Sequence, residues 1–299
     1  MRILVTGASG LVGREICRQL HEQNHEVVAL DSHFKYQGHE PSCSIFHNKT
    51  IHTFVVENPN NFDMIYHMAA INGTEYFYSI PNILITNNIL SDLTIFEYAG
   101  TNPKCKIIYA SSSEVVSDSN SVPVAEEIDI SIKNIHNPRW SYRLGKIVSE
   151  NYLVNSQLNY VIFRIFNTYS EHSASGHMLR DQLNKIKQGI FELLNPNDTR
   201  SFCYVTDSVR AIIKVSDLAN KEIINVGSDE EITVQEAANI IAKSQGYDNP
   251  TWNIVNGHAG STARRKPDLT KLRNYYPNYQ PEKFASVIDR IKSKLLTTT

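Results

Sequence analysis

The chain has 299 residues, 41% hydrophobic and 20% charged, with a formal net charge of −2. That length allows one large domain or two modest ones, and the balance of charge argues against an electrostatic grip on nucleic acid, which needs a basic face. No apolar run approaches the ~20 residues of a membrane span. Cys17, Cys43, Cys105 and Cys203 lack metal-ligand spacing, so no metal is expected.

The first thirteen residues, MRILVTGASGLVG, carry the strongest local signal. Ile3, Leu4 and Val5 form a continuous apolar run, which predicts a buried parallel strand. Gly7, Gly10 and Gly13 follow, and then Ile16, Cys17 and Leu20 recur at helical spacing. Without a Cβ the chain bends sharply, and a diphosphate can approach the backbone amides at the helix N-terminus. The spacing is G-x-x-G-x-x-G rather than the commoner G-x-G-x-x-G. Its place between strand and helix predicts a dinucleotide cradled by Gly7, Gly10, Leu11, Val12 and Gly13.

Glu26 to Leu30 reads as a second strand ending at Asp31, about 20 residues past the glycines, where an acidic side chain accepts the ribose hydroxyls of a dinucleotide. A 2′-phosphate would be repelled there, so NAD is expected rather than NADP. Residues 32–50 read as a polar loop, Phe54-Val55-Val56 as a third strand and Met64 to Ala70 as a fourth. The short link from Glu57 to Asp63 has no room for the helix of a parallel crossover. A trimmed adenine side is therefore expected.

A helix carrying Leu84, Asn88, Leu93, Phe96 and Tyr98 stops at Gly100. Lys106 to Ala110 is the next strand, leading into Ser111-Ser112-Ser113-Glu114. After an irregular stretch between Pro123 and Pro138, a helix is predicted from Trp140 to Val154, then a strand from Val161 to Phe166. The alternation predicts an α/β fold, a doubly wound parallel sheet of Rossmann type. Helices at Met178–Gln188 and Val205–Ala219, a strand at Ile223–Val226, a helix capped by Thr233 with Glu236, and a last helix to about Leu295 complete the chain. Residues 1–166 with about 203–226 are expected to form the cofactor domain. About 167–202 and 227–299 would form a smaller, discontinuous C-terminal α+β substrate domain.

Tyr142 and Lys146 lie four apart on a predicted helix and so share a face. A lysine ammonium and a positive nicotinamide ring would favour the phenolate and suit Tyr142 to general base work. Ser112, at the preceding strand end, would hold the substrate oxygen.

These elements together resemble the extended short-chain dehydrogenase/reductase family of NAD-dependent nucleotide-sugar epimerases, dehydratases and decarboxylases. The resemblance rests on Gly7 to Gly13, Asp31, His67-Met68-Ala69-Ala70, Ser111 to Glu114 and Tyr142/Lys146, and spans nearly the whole chain. It implies that Ala69, Ala70 and the helix asparagine Asn88 belong to the cofactor site and that Glu57 approaches adenine. It also implies that Asn167, Arg200 and Arg265 meet the sugar diphosphate or its neighbourhood. The shared first step would be proton removal from a sugar hydroxyl by Tyr142 while hydride passes to NAD, giving a 4-keto sugar.

Glu114 stands where family dehydratases place the base for the C5 proton, and where the decarboxylases also carry glutamate. The expected activity is tilted by it toward 4,6-dehydration, with 4-epimerization or UDP-glucuronate-type decarboxylation as the alternative. Ser113 stands where one dehydratase branch has an acidic group. Val115-Val116-Ser117 and Asn167-Thr168-Tyr169-Ser170-Glu171-His172 depart from the family's usual runs, and His172 and His177 read as surface histidines near an altered pocket. Two other readings are a non-catalytic NAD-binding regulator, and an NAD-dependent dehydrogenase of a small substrate. A homodimer in the cytoplasm is expected, without a secretory leader.

Overall fold

The computed structural model describes residues 1–32, 41–117, 119, 121–132, 135–174, 176–248, 250–255 and 262–297. Six successive strands, β1 (Arg2–Thr6), β2 (Glu26–Asp31), β3 (Ile45–Asn48), β4 (Met64–His67), β5 (Lys106–Ser112) and β6 (Asn159–Ile165), join the strand Glu222–Val226 in one sheet. The spatial order is Glu222–Val226, β6, β5, β4, β1, β2, β3, and every pairing is parallel. The order reverses beside β1. In such sheets that switch point opens a crevice at the carboxyl ends of the strands, where ligands bind.

Helices cover both faces. Along β1 the side chains alternate, so Ile3 and Val5 join one buried cluster and Leu4 the other. The first cluster holds Ile16, Cys17 and Leu20 of α1 (Leu11–Glu22) and Val209 and Ile212 of α7 (Val205–Leu218). Opposite, Phe54 of α2 (Ile51–Glu57), Ile95 and Phe96 of α4 (Pro81–Gly100) and Leu153 of α5 (Trp140–Val154) pack on Leu4, Ile65 and Ile107. Between β4 and α4 lies the short helix α3 (Thr74–Ser79).

The expected third strand is a helix. Thr50 caps α2 by accepting a hydrogen bond from Thr53 N at 3.2 Å, and only Phe54 of the helix is buried while Val56 is 74% exposed. A strand there would need both faces covered. The third strand is instead Ile45–Asn48, inside the stretch read as a loop, so α2 supplies the crossover helix and the adenine side is not trimmed. Three β-favouring residues in a row could not reveal this, since such runs do not distinguish strand from helix.

Past β6 a third cluster forms among α6 (Met178–Lys187), α8 (Val234–Ser244) and the last helix (Phe284–Thr297), and includes Leu183, Ile241 and Ile288. Thr233 and Glu236 form the expected reciprocal cap on α8, at 3.0 and 2.7 Å. Short pairings carry this region across the sheet edge: Thr199–Arg200 is flanked by Ile232–Thr233 and by Arg264–Arg265. Val124 N donates to Lys266 O, and Asp268 N to Val124 O, both at 2.8 Å. These bonds tie the segment around Arg265 to the irregular stretch after β5.

Candidate active site

The glycine turn is built around close approach. Gly7 has φ +66°, and a Cβ on it would lie 2.6 Å from Ala69 N; on Gly13 it would lie 2.1 Å from Gly7 O. Gly10, the N-cap of α1, provides no side-chain cap, and the first turn has no acidic residue, so amides of Leu11, Val12 and Gly13 present an anion-favouring helix end. Ser9 Oγ is buried in the turn without a hydrogen-bond partner. Asp31, at the end of β2, accepts from Ser9 N at 2.8 Å. An uncapped helix end, the unpartnered Ser9 hydroxyl and a turn too tight for a Cβ at Gly7 or Gly13 fit a dinucleotide diphosphate.

Two of the expected cofactor residues stand differently from the reading. Both polar atoms of Asn88 are used on the backbone of Ile71, at 2.8 and 3.0 Å, so it holds the segment after Ala69 and Ala70 in place. Glu57 ends α2, is half-exposed and pairs with Lys49. The family resemblance implies an approach to adenine, whereas here its carboxylate meets Lys49. The residue at the carboxyl end of β3 is Asn48.

Tyr142 and Lys146 do share a buried face of α5. Tyr142 stacks on Phe77 of α3, with ring centroids 5.1 Å apart. Burial pushes its hydroxyl above the usual range; a hydrogen bond from Ser112 pulls down, while Glu114 and Asp92 add to the rise. Lys146 Nζ donates to Tyr109 OH at 3.0 Å and stands 3.9 Å from Asp92. In the chain alone burial outweighs the expected help to the phenolate, so a lowered Tyr142 needs the positive charge of the oxidised cofactor.

Ser112 Oγ accepts from Glu114 N at 3.2 Å and so starts the 3₁₀ turn Ser113–Val116, in which Ser113 and Glu114 are buried. Glu114 is clasped by two arginines. Arg139 donates through Nε at 3.1 Å and Nη2 at 2.5 Å, and Arg265 through Nη1 at 2.8 Å. Burial alone would raise the Glu114 carboxyl, but Arg265 and Arg139 hold it down at about 2. Arg200 lies opposite Arg265 in the strand register; burial, then Arg265, pushes its guanidinium down to about 10, and Arg139 contributes in the same direction. Two arginines thus hold one carboxylate, and Arg200, beside Arg265, pairs with Asp198 at 3.4 Å. Asn167 Oδ1 is buried without a partner.

Sequence reasoning did not select Arg139, Asp92 or Tyr109. Arg139 sits three residues before Tyr142, and that spacing was the available signal. His172 lies elsewhere, in a cavity of about 400 Å³ shared with Leu11, Arg14 and Lys294.

The parallel sheet and glycine cradle define a dinucleotide-binding α/β protein. The sequence profile of the NAD dependent epimerase/dehydratase family matches residues 3–227, three quarters of the chain, and the protein belongs to that family. It is therefore an NAD-dependent enzyme of the nucleotide-sugar-modifying kind. The chain is similar to the UDP-N-acetyl-alpha-D-glucosaminuronate decarboxylase of Bacillus cytotoxicus, with 29% identity over 93% of each chain. It is also similar to UDP-glucuronic acid decarboxylase 1 of Danio rerio, with 28% identity over 91% of this chain and 67% of the other. Among solved structures it superposes on the UDP-glucose 4-epimerase of Thermotoga maritima with UDP-glucose at a TM-score of 0.87. That match covers 99% of both chains at 20% identity, which speaks for the fold alone. Among the described residues no helix is long and apolar enough to cross a membrane, and no group of side chains suits a metal ion.

Proposed function

We propose that the protein decarboxylates a nucleotide-sugar uronate through a 4-keto sugar. The observation that carries this reading is the clasp of Arg139 and Arg265 on Glu114. A base that lifts a C5 proton should titrate near the working pH and have a free oxygen. Glu114, held at about 2 with both oxygens engaged, is poorly suited to that task. Decarboxylation asks for no such base: once C4 is a ketone, the C6 carboxylate belongs to a β-keto acid and leaves as carbon dioxide, and the electron pair left as an enolate at C5 takes up a proton from water. The surplus of positive charge around Glu114 also favours an anionic sugar, and the decarboxylase relatives point the same way.

In this reading Tyr142 takes the proton of the C4 hydroxyl, with Ser112 as its hydrogen-bond donor and Lys146 as the nearby cation. When bound, NAD would supply a reversible two-electron acceptor for the C4 hydrogen. The glycine turn with Asp31 holds the cofactor. Arg200 and Asn167 hold the diphosphate side of the substrate, and Arg139 and Arg265 face the carboxylate. Glu114 orients the two arginines. Residues 1–166 with about 203–226 serve the cofactor, and the remainder the substrate. Ile83 and Leu90 of α4, with Val148 and Tyr152 of α5, leave apolar surface exposed on two packed helices, which supports a homodimer through them. That none of the four cysteines is in a disulfide supports a cytoplasmic setting.

The test is incubation of the NAD-loaded enzyme with a panel of nucleotide hexoses and hexuronates, followed by mass spectrometry. Loss of carbon dioxide from a uronate is expected. Loss of water from a neutral hexose would overturn the reading and restore the 4,6-dehydratase, and unchanged mass with altered retention would indicate the epimerase.

A further inference from the structure

A line of buried polar side chains runs beneath the catalytic helix, starting in the His67-Met68-Ala69-Ala70 element. Thr6 Oγ1 bonds His67 Nδ1 at 2.6 Å and accepts from Ala69 N at 3.4 Å. On the other side of the ring, His67 Nε2 donates to Asp92 Oδ1, a carboxylate oxygen that can only accept, at 2.8 Å. The other oxygen of Asp92 accepts from Tyr109 OH at 2.5 Å and Ser149 Oγ at 2.7 Å. Tyr109 OH in turn accepts from Lys146 Nζ at 3.0 Å. Asp92, His67, Tyr109, Ser149 and Lys146 are each at most 2% exposed, and Phe96 packs edge-on against the rings of His67 and Tyr109.

Two unlike charges buried together need each other, because either alone costs several kcal/mol to desolvate (roughly, after relaxation). The other carboxylate that acts on Lys146 is Glu150, and it is already committed: Arg164 donates to it at 2.7 Å and Ser111 at 2.5 Å. Asp92 is met instead by His67, Tyr109, Ser149 and Lys146. We propose that Asp92 is a positioning residue for the reaction: the buried counter-ion that keeps Lys146 charged, with the Tyr109 hydroxyl fixing the direction of its Nζ. The titration behaviour agrees. Burial pushes Lys146 down and Asp92, then Glu150, pull it back. For Asp92, burial pushes up and Lys146 leads the groups that bring it below the usual range. The proposal rests on the assignment of Tyr142 and Lys146 as the catalytic pair.

The geometry makes an effect of definite sign. Asp92 raises Tyr142 directly, so deleting its charge while Lys146 stayed an ammonium would lower Tyr142 and shift the acid limb of kcat to lower pH. If Asp92 is what keeps Lys146 charged, its removal instead lets Lys146 go neutral, Tyr142 loses its cation, and the limb moves to higher pH. The groups facing this pair are His67 from β4, Tyr109 from β5, and Ser149, Glu150 and Tyr142 from α5.

The experiment is an NMR titration of [ε-13C]lysine-labelled, NAD-loaded wild type and Asp92→Asn, with Lys146→Met to assign the resonance. It needs no substrate, so it judges Asp92 even if no uronate is turned over. The Lys146 midpoint should fall by ~1 pH unit or more in Asp92→Asn, kcat on the substrate found above should fall ~10²-fold with its acid limb moved up, and Asp92→Glu should restore both. An unchanged or higher Lys146 midpoint overturns the proposal. Should Asp92→Asn fail to fold, the wild type still decides, because a neutral Lys146 at pH 7 refutes a counter-ion role.

Discussion

Two buried carboxylates lie along β5, one beside the middle of the strand and one just beyond its end, and their surroundings differ in kind. Asp92 meets Tyr109 at mid-strand together with His67, Ser149 and one lysine, all carried by strands and long helices. Glu114 follows the strand's end and meets two arginines, 25 and 151 positions away in the chain, both from irregular or very short elements. Each is held ionised by cations. On the proposals made above, the interior carboxylate governs proton chemistry through Lys146, and the edge carboxylate governs what the arginines can bind. Charge buried in regular structure tunes a group that stays put; charge at the sheet edge is exchangeable with a charged ligand.

That contrast predicts a split between kcat and KM, and the largest effect lies on the interior side. Tyr142→Phe should lower kcat by ~10²–10⁴-fold while the purified protein keeps its NAD, read by product formation and by absorbance of the released cofactor. Intact turnover would remove the catalytic assignment. On the edge side, Arg265→Leu should raise KM for a uronate by ~10–100-fold, or about 1.4–2.8 kcal/mol, with a smaller change in kcat. An effect confined to kcat would erase the distinction between the clusters.

The cradle serves as a control between them. Gly13→Ala forces a Cβ to 2.1 Å from Gly7 O, against backbone that cannot swing aside. A loss of ~1–3 kcal/mol in stability and of bound NAD is expected, measured by thermal melting with and without added cofactor.

Acid should act on both clusters together. The folded-state carboxyl of Glu114 is depressed to about 2 and that of Asp92 is also lowered, so their stabilisation is full above the unfolded values of about 4. It is lost as the pH falls from there through the folded values. A melting temperature that drops across that window in the wild type, and less steeply in Glu114→Gln, checks this. The smallest effect is expected at Glu57, where Glu57→Gln removes an exposed pair with Lys49 worth at most ~0.5–1 kcal/mol and should leave NAD affinity unchanged. A marked loss of affinity would return Glu57 to the cofactor site.

Much of the fold could be read in advance because its signals are local. The strand-glycine-helix order of residues 2–22, the helix from Trp140 to Val154 and the Thr233 cap all depend on residues a few positions apart. The reading failed at residues 45–57, where a short strand half-exposed at the sheet edge looked like a loop and a short helix looked like a strand. Periodicity has too few residues there to act on. At the site, Tyr142, Lys146, Ser112 and Glu114 were visible as a pattern, yet the dehydratase tilt came from Glu114 considered without its partners.

What the sequence by itself determined is therefore the parallel sheet, the glycine turn and the identities of the groups gathered at the end of β5 and on α5. The tertiary structure alone decided the protonation environment of those groups. A carboxylate's role depends on which charges face it and how much water is left between them, and both are set by contacts such as Glu114 with Arg265, made across half the chain.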